Sequence, residues 1–540
     1  GCQREPKLMA HEPSPVDGQA PPLPEFGDDS VVPDETIRCG SLPPLRWREL
    51  PEPISWKKMV GPSIMLAGLA LGSGEFVLWP YITYKAGFIF FWACILGVIT
   101  QYFLNMEIER WTLATGESAI TGFCRINRNW AWVFLVLNIL PWAWPGWATG
   151  AGQMLSWALF GAEEVLDPET GVVSFKSQYV PLLGIAGLWL VGIALTAGPV
   201  VYNTVERIQI VLVGMIVVIV IGLGIVLIRG DAVMAMVSGI GSFGQMPDLD
   251  ATGLTFISLL GALAFAGAGG STNLGQSNFI KDKGYGMGQF IGRITSPLTG
   301  QEEAIADTGF LFPDSPENRR RWLGWWKAAN IEHLLSFFVT CVICLCLMSL
   351  MTYSVFYDAE GVLKPGMDKY GAGLDFVWGQ ATVIGDQATG GGMLKLGFLV
   401  MGIAVLLTTE LGVLDATARI STDIVKTNYL RNNDNWSLSK LYYLFLWSEI
   451  LLGTVILLVG FDKPLFLLVT SAAMNGFVMF VYSILLLYLN RRILPSRLRM
   501  GWVRMLAIGW AVLFFGFFSY KAVELEVWPK LLSKLFGAGA

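Results

Sequence analysis

Residues 61–87 have the sequence GPSIMLAGLALGSGEFVLWPYITYKAG. A stretch of roughly 20 mainly apolar residues crosses the hydrocarbon core of a bilayer, so this sequence predicts one membrane-spanning segment. Its middle is interrupted at residues 72–75 (GSGE), where two glycines weaken a helix and a carboxyl group falls near the bilayer midplane. An ionisable group at that depth is costly and must face protein or water, which makes Glu75 a candidate functional residue.

The composition indicates one large polytopic membrane domain rather than several soluble ones. Of the 540 residues, 54% are hydrophobic and only 15% are charged. The net charge of -5 gives no reason to expect a nucleic-acid partner. The sequence contains no phosphate-binding loop, so we expect no ATP-driven transport. We also expect no cofactor, and we interpret the cysteines within apolar segments as small buried hydrophobic residues.

The chain divides into three regions. Residues 1–55 are rich in proline and acidic residues and predict a disordered cytoplasmic tail. Residues 56–522 form the predicted transmembrane domain, and residues 523–540 a C-terminal tail. The transmembrane domain contains eleven apolar segments, which we number 1 to 11: 59–84, 87–108, 130–157, 179–198, 204–228, 253–279, 331–355, 392–414, 440–460, 464–489 and 503–521.

The distribution of lysine and arginine among the connections predicts the orientation. Most of these residues fall in alternate loops, including 281–329 and 491–504, which are therefore assigned to the cytoplasmic side. The loop 357–391 lies on the outer side in this threading. The sequence thus predicts an integral protein of the bacterial inner membrane, with the N-terminus inside and the C-terminus outside.

Segment 6 contains a second interruption. Residues 266–273 (AGAGGSTN) are too rich in glycine for a regular helix interior. Two interrupted segments, five segments apart, are typical of a five-plus-five inverted repeat, here with an eleventh helix appended. The alternative is that both are flexible, glycine-rich helices at a packing interface.

The first segment resembles that of the Nramp family of divalent metal ion transporters, which belong to the LeuT-fold group. The family begins this helix with Gly-Pro and carries Asp-Pro-Gly-Asn-Phe ten residues later; here Gly61-Pro62 precedes residues 72–76 (GSGEF) at that spacing. The end of segment 2 (Glu109-Arg110) and segment 10 look similar as well. The resemblance implies an all-α polytopic, LeuT-like fold with segments 1 and 6 broken, and transport of a divalent metal ion.

The site differs from the family pattern. The family's metal-binding Asp corresponds to Gly72, and its Asn corresponds to Glu75. The family's sixth helix carries Met-Pro-His-Asn, whereas residues 253–280 contain neither Met nor His. This motif aligns in two registers, ending on Ala268 or on Asn273, and we prefer the register ending on Asn273 because it retains an Asn-Leu pair. The chain therefore resembles a divergent branch of the family.

The candidate substrate ligands in the two interruptions all bind through oxygen. Carboxylate, carbonyl, amide and hydroxyl oxygens suit hard ions, whereas thioether and imidazole favour softer transition metals. One carboxylate provides little charge for a dehydrated divalent ion, so a partly hydrated cation is expected. The candidates for the substrate site are Gly72, Ser73, Glu75, Ser271, Thr272, Asn273 and Gln276.

A second group of polar residues in later segments is a candidate path for a coupling ion, H⁺ or Na⁺. Hydroxyls on the eighth helix line a cation site in several LeuT-fold transporters, so the resemblance implies Thr408 and Thr409. The alternative for Glu410 and Asp415 is a solvated position at the inner end of the segment. Glu449 could relay a proton or pair with an arginine. The candidates are Thr408, Thr409, Glu410, Asp415, Glu449 and Asn475.

Two other functions remain open at this stage, a solute carrier and a sensor, and an enzyme is not expected. The architecture is shared by carriers of amino acids or other small organic solutes. In such carriers, the exposed backbone amides of a half-helix can bind the carboxylate of the solute. A membrane-embedded enzyme is disfavoured because the sequence has no HExxH or GxSxG motif. A non-transporting membrane sensor would use its large inner loop to contact a partner.

Glu332 and His333, at the start of segment 7, are expected at the membrane interface.

Overall fold

The eleven predicted segments are all helical. The computed structural model describes residues 30–55, 59, 61–166, 168, 173–296, 306, 308–370, 373–387, 390–460 and 463–529. Within these residues, ten helices are long and apolar enough to cross a membrane. They are segments 1–5 and 7–11: Pro62–Ala86, Phe91–Thr115, Trp130–Phe160, Val180–Ala197, Val201–Leu227, Pro316–Phe356, Gly391–Asn428, Leu438–Leu458, Pro464–Ile493 and Trp502–Val527.

Segment 6 is the eleventh, divided into the helices Phe256–Ala264 and Gly270–Lys283. The expectation of an all-α polytopic membrane protein with about eleven helices is confirmed. Shorter helices in the connections span Ala119–Ile126, Gly230–Gly241, Leu249–Thr252 and Asp375–Gln387. Two small sheets complete the described structure: Arg46–Trp47 pairs in parallel with Phe310–Leu311, and Glu163–Leu166 pairs antiparallel with Val173–Lys176.

Both interruptions are present, but each is shorter than the stretch that the sequence predicts, which is residues 72–75 in segment 1 and residues 266–273 in segment 6. In segment 1 the α-helix ends at Ala70, and a turn is followed by the π-helix Gly74–Leu78. In segment 6 only residues 265–269 are non-helical. The second helix already begins at Gly270. The Thr272 hydroxyl donates to the Ala268 carbonyl at 2.9 Å and satisfies a backbone acceptor that the interruption leaves free.

The described part of the N-terminal region is packed, which differs from the expected disorder of residues 1–55. Val32, Leu45 and Leu50 are buried, and the backbone of residues 46–47 extends the strand Phe310–Leu311. Apolar residues between the prolines thus find partners on the membrane domain, and burial of their surface offsets the entropy of ordering the chain. Residues 1–29 of this predicted tail lie outside the described residues.

At the other end of the chain, segment 11 continues through the π-helix Val523–Val527 into the predicted tail 523–540. Residues 530–540 lie outside the described part.

The loops gather at the two ends of the helical domain as the predicted threading requires. At one end, Arg497 lies 3.2 Å from Asp314, so the loops after segments 6 and 10 meet there. At the opposite end, the Tyr84 hydroxyl donates to the Met367 carbonyl at 2.8 Å and links the end of segment 1 to the loop after segment 7. Which end faces the cytoplasm stays a prediction from the charge distribution.

Candidate functional site

The two interruptions touch each other, as the paired breaks predict. A β-carbon built on Gly74 would lie 1.6 Å from the Phe265 carbonyl oxygen, so only glycine allows this approach. A β-carbon on Gly72 would lie 2.0 Å from the Thr409 hydroxyl oxygen, which brings segment 8 against the same turn. Three segments therefore converge on residues 72–74.

A small cavity lies where these segments meet. Its volume is about 10 Å³, close to the space that one water molecule occupies. All of its lining residues are buried. They are Leu69, Ala70, Ser73, Gly74, Trp142, Trp147, Phe265, Gly267, Ala268 and Thr409.

Two hydroxyl groups and two indoles provide the polar side chains of this cavity. The Trp147 indole donates to the Ser73 hydroxyl at 3.1 Å, and the Thr409 hydroxyl donates to the Leu69 carbonyl at 3.2 Å. Trp142 stacks on Phe265 with a centroid distance of 5.7 Å and an interplanar angle of 11°. The cavity is thus lined by two hydroxyl groups and by aromatic rings.

Glu75 does not line the cavity. It is fully buried, and its Oε2 accepts a hydrogen bond of 3.3 Å from the Gly72 backbone N–H. Its Oε1 has no hydrogen-bond partner among the described residues. The carboxyl group is therefore held behind the turn that forms the cavity wall.

Ser271 and Asn475 organise the start of the second half of segment 6. The Ser271 hydroxyl accepts from the Trp142 indole at 2.8 Å, and the Asn475 carbonyl oxygen accepts from the Ser271 backbone N–H at 3.3 Å. This approach requires glycine at position 270, because a β-carbon built there would lie 1.8 Å from Asn475 Oδ1. Asn475, predicted on an ion path, caps this half-helix.

The remaining candidates from segment 6 do not line the cavity. Thr272 bonds to the carbonyls of its own turn. The Asn273 amide donates to the Tyr482 hydroxyl at 3.0 Å. The Gln276 amide donates to Glu109 Oε1 at 2.7 Å, on segment 2. Of the two possible registers, the structure puts Ala268 rather than Asn273 at the cavity.

The adjacent threonines of segment 8 have different surroundings. Thr409 faces the cavity, whereas the Thr408 hydroxyl donates to the Gln209 side chain of segment 5 at 2.8 Å. Glu410 is buried and accepts from the Ala148 backbone N–H at 3.2 Å. The alternative that Glu410 lies solvated at the inner end is therefore wrong.

Asp415 is buried as well and belongs to an ion network. Its carboxylate accepts from Arg419 at 2.9 Å and from the Tyr442 hydroxyl at 2.7 Å. Arg419 also pairs with Asp282. One arginine between two carboxylates compensates part of their charge and fixes their positions, which favours a structural role. Glu449 is half-buried, and its Oε1 has no partner among the described residues.

Sequence reasoning missed Gln101, which joins segment 2 to the interruption in segment 6. Its amide donates to the Ala264 carbonyl at 2.8 Å, and its carbonyl oxygen accepts from the Gly269 N–H at 3.3 Å. Both backbone groups would otherwise be unpaired at the ends of half-helices. An amide in the middle of an apolar segment is the signal that could have identified it.

The architecture matches that of solved transporter structures. No protein-family model matches the sequence, and a search of curated proteins gave no match. The structure aligns with a histidine-to-alanine mutant of the Eremococcus coleocola manganese transporter over 92% of each chain, with a TM-score of 0.61 and 11% identity. The chain has the fold of this manganese transporter.

The same transporter in complex with an aromatic bis-isothiourea substituted compound aligns over 95% of this chain and 93% of the other. Its TM-score is 0.60, at 12% identity. The LeuT-like fold that the resemblance implied is thereby confirmed. The inverted repeat within it stays a prediction.

Proposed function

We propose that this chain is a secondary active transporter that moves a cation by alternating access, as a divergent relative of the Nramp transporters. The observation that carries the proposal is the contact of both interrupted helices at one buried cavity, with Gly74 against Phe265 and Thr409 against Gly72. Interrupted helices that meet inside a transporter fold provide free backbone groups and half-helix ends for an ion.

The size and lining of the cavity favour an ion over an organic solute. A volume of about 10 Å³ is far below the roughly 300–1,000 Å³ of pockets for drug-sized molecules. Its polar side chains offer the hydroxyl oxygens of Ser73 and Thr409, and segment 6 contributes backbone at Gly267 and Ala268. These oxygen groups suit a hard cation, such as Mg²⁺, Ca²⁺ or Mn²⁺.

Glu75 would then act from behind the cavity wall. A buried carboxylate with one unpaired oxygen is costly when charged, so the charge must be compensated by a proton or by a nearby cation. Its hydrogen bond to Gly72 links the protonation of the carboxyl group to the turn against which Thr409 packs. This position favours Glu75 as a carrier of H⁺ over a direct ligand.

Uptake by the full chain in proteoliposomes tests the proposal. We expect accumulation of Mg²⁺, Ca²⁺ or Mn²⁺ that responds to an imposed H⁺ or Na⁺ gradient and exceeds Cd²⁺ uptake. Empty liposomes and liposomes with the Gly74→Ala variant are the controls. Uptake of Cd²⁺ alone would contradict a hard-ion site, and absence of any cation uptake would favour a solute carrier or a sensor.

A further inference from the structure

A second polar cluster lies below the cavity, toward the end of the domain that holds the loop after segment 6. It consists of Glu109 on segment 2 and of Glu332 and His333 on segment 7. One ligand atom from each lies within 4.8 Å of the others, and all three side chains are buried. Glu109 follows Gln101 by eight residues, which is about 12 Å along a helix. The cluster is therefore separate from the cavity.

The buried position of the cluster is itself informative. The sequence analysis expected Glu332 and His333 at the membrane interface, but His333 is 0% exposed and Glu332 is 3% exposed. Segment 7 changes from an α-helix to the π-helix Leu334–Val339 directly after this pair. Such wide turns occur frequently at functional sites because they redirect side chains.

One potential ligand atom of each side chain in the cluster lacks a hydrogen-bond partner among the described residues. His333 Nδ1 forms a hydrogen bond of 2.8 Å with the Ser63 hydroxyl and lies 3.5 Å from Glu109 Oε1. In contrast, His333 Nε2 and Glu109 Oε2 have no hydrogen-bond partner in the described structure. Among the described residues, no lysine or arginine forms an ion pair with Glu109 or Glu332. Two buried carboxyl groups without a lysine or arginine partner are either protonated or stay charged beside another positive charge, such as a bound cation.

Gln276 adds a fourth buried group to the cluster. Its Nε2 lies 2.7 Å from Glu109 Oε1 and 3.4 Å from the Ser63 hydroxyl, while its Oε1 has no partner among the described residues. The two ends of an amide exchange by rotation about one bond, so Gln276 can present an oxygen to a cation at the same position. Ser63 contacts Glu332 on the other side.

From this geometry we infer a second cation site, formed by Glu109, Glu332 and His333, that binds a first-row divalent metal ion such as Mn²⁺ or Zn²⁺. Two carboxylates neutralise the charge of the ion, and an imidazole nitrogen favours a transition metal over Mg²⁺ or Ca²⁺. The Gln276 and Ser63 oxygens complete the set. This site differs in chemistry from the cavity, whose side chains offer oxygen ligands, and its existence does not depend on the proposed transport.

The position of the site gives it a structural consequence. Ser63 belongs to the first half of segment 1, and Gln276 belongs to the second half of segment 6, so both interrupted helices contribute a group. Segments 2 and 7 supply the charged ligands. A bound ion would hold these four segments together, and separation of either half-helix would remove one of its ligands.

Pulsed EPR of Mn²⁺ bound to the tag-free full chain, in imidazole-free buffer, tests this assignment. A bound imidazole gives nitrogen-14 couplings, and the chain contains only two histidines, His11 and His333. We expect the couplings in the wild type and in His11→Ala, and their loss in His333→Gln. They should persist in Glu75→Gln and Thr409→Val, which change the cavity region.

Titration of Mn²⁺ into Glu109→Gln and Glu332→Gln provides a second readout, with the melting temperature of each metal-free variant as the folding control. Loss of one ligand should weaken binding at this site by about tenfold or more. Absence of nitrogen couplings in the wild type, their survival in His333→Gln, or unchanged affinity in both Gln variants would overturn the assignment. Couplings without any cation uptake would instead refute the proposed transport and leave this site standing.

Discussion

Gly74 and Phe265 bring the two interrupted segments into contact, since a β-carbon on Gly74 would lie only 1.6 Å from the Phe265 carbonyl oxygen. This oxygen lies in the non-helical stretch 265–269, where the carbonyl groups have no regular helical partner. The contact therefore positions a backbone acceptor of segment 6 directly beside the π-helix of segment 1.

Gly74→Ala should disrupt this contact. The added methyl group forces the two backbones apart, and overpacking of this kind costs about 1–3 kcal/mol. We expect a lower melting temperature and loss of cation uptake. Gly222→Ala on segment 5 is the matched control, since no heavy atom lies within 4 Å of its β-carbon position. Equal melting temperatures for the two variants would contradict the close contact.

Glu75→Gln should abolish cation-coupled uptake while the protein still folds and inserts. Glutamine retains the shape of the side chain but can neither carry the charge nor exchange a proton. Uptake and melting temperature of the purified variant should be measured together, with the exposed Glu163→Gln as control. Normal uptake in the Glu75 variant would make the carboxyl group structural and leave Ser73 and Thr409 as the site.

The neighbouring threonines provide a paired test of the cavity. Thr409→Val removes a hydroxyl that lines it and that donates to the Leu69 carbonyl, so cation affinity should fall, with a loss of stability of about 1–3 kcal/mol from the unpaired carbonyl. Thr408→Val removes the partner of the buried Gln209 and should destabilise the protein by about 1–3 kcal/mol without altering the cation affinity. Calorimetric titration and thermal unfolding separate the two effects. The reverse pattern would place the site on the other face of segment 8.

The outer connections should respond to pH through Asp375. Burial raises the pKa of this carboxyl group from 3.8 to about 6, and Phe175 donates its backbone N–H to it at 3.1 Å. Because the pKa of Asp375 is higher in the folded state, the uncharged carboxyl group contributes to folding stability. This contribution is complete below the unfolded-state pKa and is lost as the pH rises to about 6.

Thermal unfolding measured from pH 4 to pH 7 checks this prediction. We expect the melting temperature of the wild type to fall relative to that of Asp375→Asn as the pH rises through this range. A constant difference between the two proteins would show that Asp375 does not titrate there.

Topology is accessible to labelling with a membrane-impermeant maleimide. Arg320→Cys should be protected in intact cells, because the loop 281–329 is assigned to the cytoplasm. Glu360→Cys, in the exposed loop after segment 7, should react. Both should react after the membrane is permeabilised. Labelling of position 320 in intact cells would invert the predicted orientation.

The sequence by itself determined the number of segments and the location of both interruptions. Apolar length and glycine content are local properties, so residues 61–87 already predicted a broken membrane helix. The same reasoning did not foresee the order of residues 31–50, since their burial depends on partners such as Phe310–Leu311, far along the chain.

Only the tertiary structure decided which side chains share a site. Thr408 and Thr409 are adjacent, yet about 100° of helical rotation directs one to segment 5 and the other to the cavity. Glu75 is bound back to Gly72 rather than directed into the cavity, and His333 meets Glu109 from a different segment. These contacts form because helices that are distant in the sequence pack together, so no local sequence pattern predicts them.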